Sequence, residues 1–459
     1  MDTRTRNFNL QRLVVLISLI AVIALQKHIL LGKFAWLAIA LLCGINVDFA
    51  VYAIYFFAAF FNGVGYFPKL FFTLKHLHIA LILLIGIHLL KGNLWSKTFR
   101  NAKKSFSLTL WIAILVISTL SALMGIGGKG QVLRVLMTNA NILSLVFAAF
   151  VLVCLIERKE LILNSLLFFV FGVSLRVILG AAANHHLPYL PTEEPLLFNN
   201  HIGFLSCFSL FILLPFLITK QGIARRIICW FLLILIFSGL LLSYSRTGWF
   251  SFLILYPIFF LWLRKIKINP ANPRSGQQYI GYLAVTFLTF LVILIAGILL
   301  DQEILPRLYI FKKLLDPQYL YYTLHDKQNF GSLGIHRLAQ FSVLGHIFAR
   351  HWLVGTGFTH EVFDFHSLYL TVLGGTGLVG LSLFFIFCIL WFQKLMVASF
   401  RTIDNLNVFR IGILFATLVW LFYSFFETFL VQFNMWIIIA TGMLMSESLE
   451  KRGASEEEL

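Results

Sequence analysis

Apolar residues run along this chain in blocks of roughly 15 to 25, separated by short polar clusters. In a helix, about 20 apolar residues cross a hydrocarbon layer about 30 Å thick. The strands of a transmembrane β-barrel alternate in polarity over about ten residues, and this sequence shows no such alternation. The pattern therefore predicts an all-α integral membrane protein, a polytopic helical bundle of roughly 12 to 14 transmembrane helices.

The predicted spans follow the apolar blocks directly. The first two predicted spans are short. The lower limit of 12 helices covers the case in which they do not both cross the membrane. An even number of spans keeps both termini in the cytoplasm, because each span crosses once. The candidate spans are residues 13–25, 29–43, 48–61, 76–90, 107–124, 141–156, 161–180, 201–219, 227–242, 247–263, 279–300, 368–393, 410–426 and 428–446.

One long polar segment divides the chain. Residues 301–367 hold no apolar span, and their amphipathic stretch 333–350 predicts partial helix. Ordered loops of this length are usually lids or binding elements, although a solvated connector is the alternative. The predicted organisation is an N-terminal transmembrane bundle (1–300), a long, partly helical periplasmic loop (301–367), C-terminal transmembrane helices (368–446) and a cytoplasmic tail (447–459).

Composition supports a membrane protein and indicates its orientation. Of the 459 residues, 60% are hydrophobic and 12% charged, with a formal net charge of +17. Most basic residues gather in short loops. One topology of the chain places all of these loops in the cytoplasm, in agreement with the positive-inside rule. The charge therefore orients the protein, and we expect no nucleic-acid partner. The five cysteines lie scattered inside apolar blocks, which disfavours a disulfide framework and a cysteine metal site.

A short polar turn, Ser243-Tyr244-Ser245-Arg246, joins two apolar spans. It places the guanidinium of Arg246 at the outer membrane boundary, beside serine hydroxyl groups. A charge near hydrocarbon is costly, so a boundary arginine suggests a function, and its planar fork of donors matches phosphate oxygens. The alternative is an arginine that extends to lipid headgroups, although an outer-face arginine gains nothing from the positive-inside rule.

A second polar constellation surrounds His366, which precedes the span beginning at residue 368. An imidazole with a pKa of about 6.5 suits a general base for a sugar hydroxyl. The alternative is an ordinary polar residue at the start of an interfacial helix. The glycines that follow predict a close approach by a neighbouring helix. They are Gly374, Gly375, Gly377 and Gly380.

The third candidate is Arg337, in the predicted outer loop. Further polar residues fall on the same predicted side of the membrane, and each alone is typical of a helix end. Their common side predicts a shared cavity in which they contact substrate. These candidate substrate contacts are Ser245, His201, Asn200, Arg176, His360 and Glu427.

At these residues the chain resembles the O-antigen ligase and Wzy polymerase superfamily. Its members transfer glycans from undecaprenyl diphosphate on the periplasmic side of the bacterial inner membrane. The likeness covers roughly residues 195–445, and the first half is similar in hydropathy alone. The similar elements are the Ser245-Arg246 turn, Asn200-His201-Ile202-Gly203, Arg337, and His366-Ser367-Leu368-Tyr369-Leu370 with its glycine-rich sequel.

The resemblance implies roles for single residues. Arg246 and Arg337 would hold the donor diphosphate, and His366 would activate the acceptor hydroxyl. His360 is the other histidine that fits the pattern, and Glu427 lies where relatives carry an acidic turn residue. The implied partners are an undecaprenyl-diphosphate-linked glycan donor, a lipid A-core or glycan acceptor, and membrane lipid.

Two arginines at a diphosphate replace the charge of a metal ion. They would stabilise the departing diphosphate more in the transition state than in the ground state. No Asp-x-Asp pair occurs in the outer-face segments. We therefore expect metal-independent, inverting transfer with no cofactor.

Several functions share this donor chemistry. The resemblance favours an O-antigen ligase, with a Wzy-type polymerase as the alternative acceptor class. Protein O-oligosaccharyltransferase activity is a third hypothesis for the function. A transporter would instead place charged groups near mid-membrane and often shows repeated halves. In this chain the titratable groups cluster at the predicted outer boundary.

Overall fold

A computed structural model describes most of the predicted spans. The described residues are 3–25, 34–43, 46–60, 69–75, 106–124, 132–182, 199–219, 222–263, 281–295, 344–359, 362, 367–401, 406–425 and 433–456, with single residues or pairs omitted inside some ranges.

Helices dominate this part of the chain. They are α1 (Thr3–Leu25), α2 (Val47–Phe60), α3 (Phe106–Leu123), α4 (Val132–Cys154), α5 (Lys159–Ala182), α6 (Asn199–Ile218), α7 (Ile223–Leu242), α8 (Arg246–Leu263), α9 (Leu368–Arg401), α10 (Leu406–Tyr423) and α11 (Phe433–Glu456). Shorter helical stretches lie within 34–43, 284–292 and 344–351.

Six helices in the described ranges are long and apolar enough to cross a membrane. Shorter apolar helices include residues 47–60, 109–123, 247–263 and 434–446. The prediction of a helical chain with several spans is confirmed, whereas the total of 12 to 14 and the periplasmic loop stay predictions. The six candidate spans are Val132–Ala149, Lys159–Ala181, His201–Ile218, Ile223–Leu242, Leu368–Phe400 and Leu406–Tyr423.

A small hairpin departs from the all-α prediction. Strand β1 (Lys69–Phe71) pairs antiparallel with β2 (Leu74–Lys75), and Phe71 lies opposite Leu74. Strands of two and three residues are too short to produce a readable alternation of polarity, so the sequence pattern gave no sign of them.

Polar residues inside helices shifted the predicted boundaries. Helix α4 begins at Val132, well before the predicted span 141–156. Its first turns carry Arg134 and Asn139, which lower the local hydropathy. The gap left between the predicted spans 107–124 and 141–156 is therefore helical from Val132 onward. The predicted span 76–90 and most of the loop 301–367 lie outside the described residues.

Helices α6 and α10 form the core of the bundle, and nearly every residue in both is buried. They pack against each other through aromatic rings: Phe216 lies edge-to-face with Phe409 at 4.7 Å between centroids, and Phe211 lies 5.7 Å from Phe415. Lipid tails are as apolar as these side chains, so association between membrane helices depends on such close packing. Helices α5, α7 and α8 pack on α6, and α8, α9 and α11 pack on α10.

A buried cation ties three helices together. Arg410 in α10 is fully buried, and its Nε donates to the carbonyl of Met445 in α11 at 3.0 Å. Its Nη1 donates to the carbonyl of Ala398 in α9 at 3.4 Å and to Oδ1 of Asn407. The predicted span 410–426 begins at Arg410, whereas in the structure this residue lies inside α10, where these oxygens accept from its Nε and Nη1.

The contacts define two ends of the bundle. Helix α7 ends, α8 begins and α10 ends where Ser245 meets Tyr423. The start of α9 lies there too, because Ser367 meets Ser424. We call this the turn end. Helices α7 and α10 both run toward it, so Arg225 and Arg410, near their starts, lie at the opposite end.

Candidate functional site

The turn between α7 and α8 is fixed by its own serines. Ser243 Oγ donates to the carbonyl of Leu240 at 2.7 Å and accepts from the backbone N–H of Ser245 at 3.2 Å. Ser245 Oγ in turn accepts from the N–H of Gly248 at 3.2 Å. Ser245 is thus the N-cap of α8, because its side chain satisfies a first-turn donor that the helix cannot. Arg246 is consequently the first residue of the helix.

Tyr423, the last residue of α10, holds this turn from the side. Its hydroxyl lies 3.1 Å from Ser245 Oγ, and the side chain is fully buried. The ring also packs edge-to-face on Phe204 of α6 at 5.4 Å. This contact could not be predicted from sequence, because 178 positions separate the two hydroxyls. The available hint was a tyrosine at the end of an apolar span.

The first turn of α6 packs directly against the same serines. A Cβ built on Gly203 would lie 2.3 Å from Ser245 Cβ and 2.9 Å from Ser243 Oγ. This backbone approach needs a residue without a side chain. His201, two positions earlier, is half-buried, and Asn200 lies in the same first turn. Both predicted substrate contacts therefore belong to the turn end.

Arg176 is a second buried cation, in the last part of α5. It is 2% exposed, and its Nη1 reaches the carbonyl of Phe60, the last residue of α2, at 3.5 Å. A terminal helix carbonyl has no acceptor role inside its own helix and carries partial negative charge, so it attracts a cation. Arg176 also lies within electrostatic range of His201. The structure thus brings these two predicted residues together.

The start of α9 is bonded to the end of α10. The backbone N–H of Leu368 donates to the carbonyl of Ser424 at 2.8 Å, and Ser367 Oγ reaches the same oxygen at 3.3 Å. Tyr369 adds a bond from its hydroxyl to the carbonyl of Leu421 at 2.9 Å. These carbonyls lie in the last turn of α10, where helix acceptors are left free. The residue that follows His366 is thereby anchored on α10.

The turn before Arg246 and the start of α9 therefore contact consecutive residues, Tyr423 and Ser424, at the end of α10. Ser245 precedes Arg246 and contacts Tyr423, and Ser367 follows His366 and contacts Ser424. The side chain of Arg246 lies outside the described part of the structure, and so do Arg337, His360, His366 and Glu427. Their roles stay predictions.

Helix α9 is broken at Gly377, which has φ 64° and ψ −165°. A Cβ there would lie 2.2 Å from the backbone of Leu353, so this conformation and contact require glycine. The glycine-rich stretch was predicted to admit a neighbouring helix. Instead it admits the irregular segment 352–358. Four backbone bonds link the two: Thr356 N–H to Gly374 O, Gly357 N–H to Gly375 O, Leu378 N–H to Trp352 O and Val379 N–H to Leu353 O, at 2.8 to 3.2 Å.

Polar side chains of α3 and α4 hold the other side of segment 352–358. Ser118 Oγ accepts from the N–H of Phe358 at 3.0 Å and lies 3.2 Å from Asn139 Oδ1. Ser121 Oγ donates to the carbonyl of Val354 at 2.7 Å. The final residues of the predicted loop are therefore an integral part of the bundle. Their buried backbone groups find partners on α3 as well as on α9.

No group of three or more His, Cys, Asp or Glu side chains within the described ranges is arranged to hold a metal ion. The four cysteines whose surroundings are described, Cys43, Cys207, Cys229 and Cys388, are free and buried.

These features define a multi-pass helical membrane protein with a polar site at one end of its bundle. Residues 231–385 match the sequence model of the family described as O-antigen ligase (Wzy_C). The match spans most of α7, all of α8 and the broken first half of α9, and it includes Arg246, Arg337 and His366. No curated protein matches the chain. The predicted resemblance to this superfamily is thus confirmed over this segment.

The packing of the turn end predicts the effect of one methyl group. Gly203→Ala places a Cβ against both serines of the turn, and relief requires α6 and the turn to separate. We expect a loss of about 1–3 kcal/mol of stability, the usual cost of overpacking. The thermal unfolding midpoint of the purified protein in detergent measures it.

Gly345→Ala is the matched control, because no atom of the described residues lies within 4 Å of the position of its Cβ. It should unfold at the temperature of the unchanged protein or slightly above, since alanine favours helix. Equal midpoints for both variants would contradict the close contact between α6 and the turn.

Proposed function

We propose that this protein is an O-antigen ligase, which transfers O-antigen polysaccharide from undecaprenyl diphosphate to lipid A-core. The observation that carries the proposal is the meeting of two chain segments on the end of α10. Ser245 contacts Tyr423, and Ser367 contacts the next residue, Ser424. In the sequence, Ser245 directly precedes Arg246 and Ser367 directly follows His366. All four belong to the segment that matches the ligase family.

The position of Arg246 suits a diphosphate. As the first residue of α8 it stands where free backbone N–H groups and the helix dipole already favour an anion. A guanidinium added to this position supplies permanent charge and paired donors. In the proposed mechanism Arg337 provides the second cation. Together the two arginines neutralise the charge that grows on the departing diphosphate.

His366 is proposed as the general base. It accepts the proton of the acceptor hydroxyl while that oxygen forms a bond to C1 of the donor sugar. The bond between C1 and the phosphate oxygen breaks, and the diphosphate leaves with the electron pair. One displacement of this kind inverts the anomeric configuration and needs no covalent intermediate on the enzyme.

Ser245 and Tyr423 are proposed to position the site. Both are buried and bonded to each other, which fixes the capped start of α8 and hence the direction in which Arg246 leaves the helix. Substrate contact by Ser245, His201, Asn200, Arg176, His360 and Glu427 remains part of the proposal. Of these, Arg176 and His201 are already close together at the turn end.

We assign the turn end to the periplasm and the protein to the inner membrane. The opposite end carries arginines near the starts of α1 and α7, among them Arg12, Arg225 and Arg226. Basic residues at membrane boundaries accumulate on the cytoplasmic side. A periplasmic turn end fits the side on which undecaprenyl-diphosphate-linked polymers are used by the superfamily.

The proposal predicts the loss of transfer in three variants. Arg246→Ala, Arg337→Ala and His366→Ala should insert and fold, yet each should reduce ligation by about 100-fold or more, since each removes transition-state stabilisation or proton transfer. The assay is complementation of a ligase-deletion strain, read from lipopolysaccharide banding.

Lys394→Ala is the control, because Lys394 is exposed on α9 far from the turn end. It should restore full banding at matched protein levels. Full activity in any of the three site variants would remove that residue from the mechanism.

The alternative function is a Wzy-type polymerase, whose acceptor is another lipid-linked repeat unit. The same deletion strain distinguishes the two. Core without attached polymer indicates a ligase, whereas core bearing a single repeat unit indicates a polymerase. The match to the O-antigen ligase family favours the first. Core bearing complete polymer in the deletion strain would leave a protein O-oligosaccharyltransferase or a polysaccharide transporter as the remaining readings.

The proposed site relies on arginines in place of a metal ion. Transfer by the purified protein should therefore persist after exhaustive treatment with EDTA, because the charge of a guanidinium cannot be chelated. Initial rates with and without chelator measure this. Loss of activity that added Mg²⁺ restores would contradict a metal-independent mechanism.

A further inference from the structure

Arg225 at the opposite end of the bundle is held in an unusual position. It lies in the first turn of α7, and its guanidinium carbon is 5.2 Å from the centre of the Phe216 ring. Its Nε and Nη2 are buried and have no hydrogen-bond partner within the described part of the chain. An arginine that simply extends to water keeps these atoms hydrated. Here Nε and Nη2 of Arg225 are desolvated and have no hydrogen-bond partner among the described residues.

A second arginine reinforces the charge at this position. Arg12, in α1, lies within the range of direct charge–charge interaction with Arg225. Glu160 at the start of α5 lies in this range of both arginines, as does Tyr52, whereas Asp48 at the start of α2 lies in the range of Arg12. Neither acid bonds to the two unused nitrogens of Arg225. The local attraction for an anion therefore remains directed at Arg225.

The surroundings of the two arginines have the character of a lipid site. Exposed apolar side chains follow each arginine along its helix, and in a membrane such a surface faces acyl chains. The arginines then stand at headgroup depth, between two apolar strips. The side chains of the strips are Leu13, Val14 and Ile17 on α1, and Ile227 and Phe231 on α7, each 53% to 63% exposed.

We propose that Arg225 and Arg12 bind the phosphate of an anionic phospholipid of the cytoplasmic leaflet, whose acyl chains lie on the apolar strips of α1 and α7. Guanidinium donors match phosphate oxygens in number and direction. Basic pockets between membrane helices on the cytoplasmic side bind lipid headgroups in this way. The site is at the end away from the proposed catalytic residues, so it does not depend on the proposed function.

Native mass spectrometry of the purified protein in detergent tests this site. The probe is phosphatidylglycerol, added at several concentrations, with phosphatidylcholine as the zwitterionic comparison. The unchanged protein should retain phosphatidylglycerol preferentially. Arg225→Gln should weaken this binding by about tenfold, because charge-assisted hydrogen bonds to the phosphate are lost. Arg225→Lys should retain part of it, since the charge remains without the planar fork.

Two further variants separate binding from folding. Phe216→Leu removes the ring under Arg225 but leaves every charge in place, and it should weaken phosphatidylglycerol binding several-fold. Arg134→Gln removes an exposed arginine from α4 and should leave binding unchanged. Thermal unfolding without added lipid shows whether each variant is folded.

Three results would overturn the proposal. The first is equal retention of phosphatidylglycerol by the unchanged protein, Arg225→Gln and Phe216→Leu. The second is equal retention of phosphatidylcholine by the unchanged protein. The third is complete displacement of phosphatidylglycerol by millimolar inorganic phosphate, which would assign the arginines to a free anion. Preferential binding that falls in both variants supports the lipid site.

Discussion

The end of α10 is the point on which the site depends. Inside a membrane every backbone polar group needs a protein partner, and the last turn of a helix always leaves carbonyls free. The carbonyl of Ser424 is satisfied by Leu368 and Ser367 at the start of α9, and the neighbouring Tyr423 bonds to Ser245. The hydrogen bonds at the end of α10 thus fix the start of α9 and the turn before α8 relative to each other.

The same constraint explains the broken α9. A glycine with positive φ interrupts the helix at Gly377 and frees backbone groups within the candidate span Leu368–Phe400. Backbone groups of segment 352–358 form hydrogen bonds with them. Ser118 and Ser121 of α3 form hydrogen bonds with the backbone of the same segment. The end of the predicted periplasmic loop is thereby built into the helical bundle.

Local properties of the sequence predicted the helices, and tertiary contacts decided the details. Hydropathy located most spans, but polar residues such as Asn139 hid the first turns of α4. The turn before Arg246 was predicted from two apolar blocks separated by serines. Its attachment to Tyr423 was not predictable, because it joins residues far apart in the sequence. The contacts of Arg410 were not predictable for the same reason, since its acceptors include carbonyls on α9 and α11.

The central claim is that the end of α10 brings Arg246 and His366 to a common site. Cross-linking measures this directly: cysteines replace both residues in a protein whose five native cysteines are substituted, and a short bis-maleimide of about 8 Å is added in native membranes. A cross-link should form within one molecule, while the pair Arg246→Cys and Lys394→Cys should give none. Efficient labelling of both cysteines without a cross-link would contradict the shared site.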